Sequence, residues 1–243
     1  MKPLFDLHTH TTASGHAFSS LKENIQEAAQ KGLAVLGTSD HAPAMPGTTH
    51  PIFFTNYKAI PDELMGVHIL CGIEANIVDG QGQIDVEESM CGKLDYIIAS
   101  LHTPCIRSGS REENTRAITG AMKNPYVKII GHPDDDRYPL DYELLTDAAR
   151  EYGVALELNN SSFRPTSGRQ NASVNARILL EKCREKQVPV ILGSDAHIYC
   201  DIGRFDEACA MLAQCGFPEE LVLNSRLEGL KQVLNRIPEW LMD

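Results

Sequence analysis

The feature that most constrains the fold is an alternation: short apolar runs and helical patterns follow one another through the 243-residue chain. Residues 4–8, 33–38, 67–73, 95–101, 127–131, 154–158 and 189–193 read as strands. Between them, Ser20-Leu21-Lys22-Glu23 fits a capping box, and Leu21, Ile25, Ala28 and Ala29 recur at helical spacing. Gly32 stands where such a helix would end. Phe205, Ala208, Cys209 and Leu212 repeat at i, i+3, i+4 and i+7, and Leu227, Leu230 and Leu234 follow the same helical period. Nearly continuous apolar strands separated by helices imply parallel pairing buried on both faces. Seven units of even length suit a closed or nearly closed α/β barrel, TIM-barrel-like, better than an open sheet. Residues 221–223 offer a very short eighth strand. With no internal repeat, low-complexity segment or Pro/Gly/Ser linker, residues 1–243 are expected to form a single domain, and barrels of this type routinely fill ~200–250 residues.

Composition narrows the function. A net charge of −11, with no basic stripe, repels nucleic acid at long range; solubility, or bound cations that neutralise part of the charge, accounts for it. No apolar run approaches the ~18–20 residues that span a bilayer, and the N-terminus has no apolar stretch of signal-peptide length. A soluble, cytoplasmic protein is expected, without membrane or nucleic-acid partners. The seven cysteines contain no C-x-x-C spacing, so reduced, mostly buried thiols are expected.

The informative pattern lies at the strand ends. The first strand ends in Asp6-Leu7-His8-Thr9-His10, the second in Ser39-Asp40-His41 and the third in Gly72-Ile73-Glu74. Ser100-Leu101-His102, Gly131-His132-Pro133 and Ser194-Asp195-Ala196-His197 close the fourth, fifth and seventh. In parallel barrels the C-terminal rim is where active sites are built, and scattered structural histidines have no reason to share it. Side chains at i and i+2 of a strand point to one face, so His8 and His10 can converge on one ion, and Asp195 and His197 can line the same cavity. Imidazole and carboxylate suit zinc, manganese or iron. His50 and His68 follow no strand end and read as non-ligands, and Asp134-Asp135-Asp136 reads as a solvated loop.

Taken together with His16, this ordered set, from residue 4 to 197, resembles the polymerase and histidinol phosphatase (PHP) family, and its length and motif spacing resemble the YcdX-type subgroup most closely. The resemblance implies a distorted (β/α)7 barrel and a centre of three zinc ions, with manganese or iron as substitutes. By the same resemblance, His8, His10, Glu74 and Asp195 would hold the first ion. His16, His41 and His197 would hold the second, and Glu74 (bridging), His102 and His132 the third; every ligand position is filled. The expected activity is hydrolysis of small phosphomonoesters by a metal-activated hydroxide, with Glu74, Asp195 and His197 closest to the chemistry. The subgroup also permits a small homo-oligomer.

Around the ligands, Asp6 and Asp40 could orient imidazoles or merely form surface salt bridges. Among Arg107, Arg111, Arg164, Arg169 and Arg204, one or two could grip phosphate. A nuclease remains an alternative, disfavoured by the acidic charge. An amidohydrolase would want a lysine at the end of a middle strand, and none is there. A non-catalytic metal-binding module is disfavoured by nine thiolate-free ligands on a rim, because structural zinc sites close with four ligands, often cysteines.

Overall fold

The computed structural model describes residues 1–242. Its sheet is formed by β1 (Phe5–Asp6), β2 (Val35–Thr38), β3 (Glu63–Leu64), β4 (Val67–Asn76), β5 (Tyr96–Ser100), β6 (Val127–Ile130), β7 (Ala155–Asn159) and β8 (Val190–Gly193). Seven strands pair in parallel in the order β1-β2-β4-β5-β6-β7-β8, while β3 adds a short antiparallel pairing to β4. Around them run α1 (Leu21–Lys31), the short α2 (Ile52–Thr55) and α3 (Glu88–Cys91), then α4 (Arg111–Ala121), α5 (Tyr142–Tyr152), α6 (Ala172–Lys186) and α7 (Asp206–Gln214).

Local chemistry explains the helix boundaries. Ser20 and Glu23 form the expected capping box on α1, and Gly32 ends the helix in the left-handed region, its N–H bonded to the Ala28 and Ala29 carbonyls. Ser110 and Glu113 cap α4 in the same way. Such N-caps contribute about 0.5–2 kcal/mol each.

Each of the seven parallel strands overlaps its expected stretch; β7 runs one residue past it, to Asn159, and two differences are informative. The ladder of β1 covers only Phe5–Asp6; beyond it the chain stays beside β2 through isolated bonds, the Ser39 N–H donating to Thr9 O at 2.9 Å and the Thr9 hydroxyl to Gly37 O at 2.6 Å. Conversely, β4 continues past residue 73 to Asn76, so Glu74 lies inside the strand rather than beyond it.

The barrel nearly closes between β1 and β8, and the seam is where it is distorted. At the top, the Asp195 N–H donates to His8 O and the His10 N–H to Ala196 O, both at 2.9 Å. At the bottom, the Asn224 side chain accepts from the Leu192 N–H (2.7 Å) and donates to Phe5 O (2.9 Å) and Leu192 O (3.0 Å). Residues 221–223 therefore form no strand. They meet the sheet in one bridge, Val190 to Val222, and one asparagine side chain takes over the role of an eighth ladder. Of the leucine repeat, Leu227 and Leu230 lie in a 3-10 helix, Leu227–Gln232, and Leu234 falls just beyond it; no α-helix forms.

Two apolar clusters result. One packs helices on the outside of the sheet. The other fills the barrel: Phe5, Val35, Leu70, Tyr96, Ile129, Ala155 and Ile191 meet Leu223, Leu230, Val233, Leu234 and Leu241 from the C-terminal segment. Tyr96 is fully buried and donates to Leu7 O at 2.6 Å. Its ring occupies the space that a Cβ on Gly72 would enter, which is why that inward position carries no side chain. No helix among the described residues is long and apolar enough to cross a membrane.

Candidate metal centre

Above the apolar plug, the inward positions turn polar. Glu74 is fully buried and stands at the middle of a ring of imidazoles. His41 Nδ1 lies 2.8 Å from its Oε2; His102 Nε2, His132 Nε2 and His8 Nε2 lie 3.2, 3.1 and 3.4 Å from its Oε1. His10 Nε2 is 3.5 Å from Glu74 Oε2 and 3.3 Å from Asp195 Oδ1, and His8 Nε2 is 3.6 Å from the same Asp195 oxygen. His197 packs 4.3 Å from His10 between ring centroids, and the exposed His16 stands 4.9 Å from both His41 and His197. All nine residues singled out from the sequence thus meet in one cluster. Within it, ligand atoms of His8, His10 and Glu74, of His41, Glu74 and His102, and of His10, His41 and His197 lie within 4.8 Å of one another.

The far side of most rings is tied. The Nδ1–H of His8 donates to Glu157 (2.6 Å), that of His10 to Ser14 Oγ (3.1 Å), that of His102 to Asn76 Oδ1 (2.8 Å) and that of His197 to Asp195 O (3.0 Å). In each case Nε2 is left to face the centre. His8 Nε2, His10 Nε2, His41 Nδ1 and Glu74 Oε2 are buried and make no aligned hydrogen bond, the 2.8 Å approach of His41 Nδ1 to Glu74 Oε2 included. Buried polar atoms left unpaired cost about 1–3 kcal/mol each, and four of them pointing at one space fit a cation-binding site.

Electrostatics agrees. Burial drives His10 well below its ordinary value and His102 to about 4, which favours the neutral rings, whereas on His8 burial is outweighed by the charges of Glu157, Glu74 and Asp195, which raise it well above. Burial opposes charge on Glu74, but the attraction of His102, His8 and His41 when protonated, and the hydrogen bond from His102, outweigh it and hold the carboxyl well below the usual range. Asp195 is likewise held low against burial, by His8 and Arg169. Two of the five non-glycine residues with positive φ among those described, His132 (φ 29°) and Asp195 (φ 53°), also lie here, a conformation uncommon for residues that carry a side chain.

Several surrounding residues differ from expectation. Asp6 and Asp40 are fully buried, not surface groups. Asp6 accepts the backbone N–H groups of His8, Ser194 and Gly203 and touches no imidazole among the described residues. Asp40 reaches His10 indirectly, through the Ser14 hydroxyl that it accepts at 2.7 Å. Asp134 and Asp135 are buried rather than solvated: Asp134 accepts from Ser162, and Asp135 pairs with Arg137. Burial pushes Asp134 up to about 7.

Of the five arginines, Arg107, Arg111 and Arg204 are exposed. Arg164 pairs with Asp201, and Arg169 is pinned to Asp195 Oδ2 at 2.7 Å. His50 and His68 lie outside the cluster; His68 stacks on Trp240 at 4.0 Å.

Sequence reasoning missed Glu157 and Asn76. The sign of Glu157 was available: it is the one charged residue of its strand, flanked by Leu156 and Leu158, on the same alternate face as Ala155 and Asn159.

The family model for the PHP domain matches residues 6–237. The chain belongs to the PHP family. It is 49% identical over 235 residues to a protein from Caldanaerobacter subterraneus subsp. tengcongensis named a probable phosphatase, covering 96% of this chain and 92% of that one. A probable phosphatase from a Thermoanaerobacter species is 46% identical over 235 residues, covering 96% and 95%. Among solved structures, the histidinol phosphate phosphatase of Lactococcus lactis, determined with zinc, L-histidinol and phosphate, superposes with a TM-score of 0.62. It is 18% identical, with 90% of this chain and 95% of that one covered, so it bears on the fold alone. This PHP protein is a phosphoric ester hydrolase with a histidine and carboxylate site suited to metal.

Proposed function

We propose that this PHP protein, as one domain, hydrolyses phosphomonoesters of small molecules at a centre of three divalent ions, zinc foremost, with manganese or iron as substitutes. The observation that carries the reading is the set of four buried, unpartnered atoms on His8, His10, His41 and Glu74. Nine candidate ligands with two carboxylates leave a strongly positive pocket once ions bind, which suits phosphate. In this reading His8, His10, Glu74 and Asp195 hold one ion, His16, His41 and His197 a second, and Glu74, His102 and His132 a third. When bound, such ions supply Lewis acidity and bring the pKa of coordinated water down to about 7.

The chain's own residues preset the rest. Ser14 and Asn76 hold the Nδ1 protons of His10 and His102, keeping each Nε2 lone pair inward. Ser100 donates to Glu74 Oε1 at 2.7 Å and fixes the plane of the carboxylate. Arg169 and Asn159 hold Asp195 Oδ2 and leave its Oδ1 toward His8 and His10. The seven free thiols support a reducing compartment, and with it the cytoplasm.

A panel of small phosphomonoesters assayed beside single-stranded DNA, at matched metal and low salt, tests the reading. L-Histidinol phosphate belongs in that panel because of the Lactococcus neighbour. The net charge of −11 disfavours a long polyanion far more than a small ester. The expected outcome is a kcat/KM for at least one phosphomonoester orders of magnitude above nucleotide release. Efficient DNA degradation with negligible phosphomonoesterase activity would overturn the substrate class. Elemental analysis of the same preparation should give three ions per chain; one or none would overturn the trinuclear centre.

A further inference from the structure

Of the seven parallel strands, β7 alone contributes no residue to the nine candidate ligands, yet it sends a carboxylate into the barrel. Glu157 is 1% exposed and sits beneath the rim, in the space opened by Gly193, where a Cβ would collide with Glu157 Oε1 and press on His8. Its Oε1 accepts the His8 Nδ1–H at 2.6 Å. Its Oε2 accepts the backbone N–H of His132 at 2.7 Å and the Asn159 amide at 3.0 Å.

Three donors therefore converge on two oxygens. The orienting partners of His10, His102 and His197 are neutral oxygens, whereas that of His8 is an anion. The His132 N–H is also unusual, because it belongs to a residue whose backbone is held at positive φ.

We infer that Glu157 is the positioning residue of the metal centre: it fixes the His8 tautomer and the strained His132 backbone together, and so couples the ligands of two ions. The inference rests on the metal-centre reading above. A carboxylate that accepts from Nδ1–H keeps the proton there and raises the basicity of Nε2, the atom turned toward Glu74 and Asp195. Glutamine cannot reproduce this, since its single oxygen must serve three donors while its NH2 group confronts one of them. Relief comes by moving the His8 proton to Nε2, which removes that lone pair from the centre. Aspartate keeps two acceptor oxygens but is one methylene short and cannot meet His8 and His132 at once.

The test is zinc binding to wild-type, Glu157→Gln and Glu157→Asp protein, by competition with a chromophoric chelator, with elemental analysis after dialysis. Proton NMR of the zinc-loaded proteins reports the His8 Nδ1–H, and melting of the metal-free proteins reports stability. For Glu157→Gln the expected result is one ion held ~10–100-fold more weakly, the usual effect of losing such a partner, with loss of the His8 ring-proton resonance. Glu157→Asp should fall between. Unchanged affinity for every ion overturns the inference, and so does a lower melting temperature with unchanged affinity, which would mark Glu157 as structural only. Should the glutamine variant not fold, the aspartate variant decides by the same titration, and wild-type affinity there overturns the proposal. Failure of the metal-centre reading is seen separately: wild-type protein that binds no zinc defeats both, whereas a wild-type centre indifferent to Glu157 defeats this role alone.

Discussion

The two ends of the barrel are built on opposite principles. At the bottom, Phe5, Val35, Leu70 and Ile191 meet Leu230, Val233, Leu234 and Leu241, and the polar groups nearby are matched: Asn224 satisfies three backbone groups across the seam. At the top, buried imidazoles and carboxylates face one another with four atoms left without a hydrogen bond, and two of the cluster's residues, His132 and Asp195, have backbone at positive φ. The same seven strands carry both ends, and they change character within two to four residues, as from Ala155 to Glu157 on β7 or from Leu70 to Glu74 on β4. One end contributes the free energy that the other spends. Stability and function should therefore respond to different perturbations.

Removing divalent ions should produce the largest contrast. Chelation is expected to abolish hydrolysis while far-UV circular dichroism stays unchanged, since the plugged end needs no ion. Restoring ions should raise the melting temperature, because ligand at ~1,000 times its Kd contributes about 4 kcal/mol. Loss of the barrel on chelation would break the comparison. Next in size, Glu74→Gln should lower kcat/KM by more than about 100-fold, above the range for a residue that only orients a ligand, and should weaken metal binding with the fold kept. Near wild-type activity with full metal content would remove Glu74 from the centre.

Leu230→Ala tests the opposite end. Leu230 is fully buried in the plug, so truncation should cost about 2–5 kcal/mol in denaturant unfolding. Well below the new melting temperature, kcat/KM and metal content should remain those of wild type. A coupled fall in metal content would show that the two ends are not independent. Arg236→Ala, also at the bottom, sharpens the scale: its ion pair with Asp95 measures 2.8 Å, but the arginine side chain is 63% exposed. Less than about 1 kcal/mol is expected, diminishing with salt, with no change in activity.

How much was legible differs between the ends as well. Strand and helix alternation, the cap of α1 and the shared rim of the nine candidate ligands could be read directly, because side-chain alternation and capping act over a few residues. The plug was not legible: Leu227, Leu230 and Leu234 carry a helical period, yet the segment winds as 3-10 turns to reach under the barrel. Asp134 and Asp135 look like a solvated acidic run until the β6–α5 connection is packed against Ser162, Arg137 and the 169–170 segment.

The sequence by itself determined the parallel barrel and which histidines and carboxylates stand on its rim, since both follow from the local period of apolar residues and from what ends each run. Tertiary structure decided which ring nitrogen each histidine presents, through partners as distant along the chain as Glu157 from His8 and Asn76 from His102. It also decided that one asparagine, Asn224, would seal the seam between the first and last strands. Those choices depend on hydrogen bonds between residues that only barrel closure brings together. A carboxylate or an amide in the sequence does not specify its donor; the packed interior does, because a buried polar group must find one.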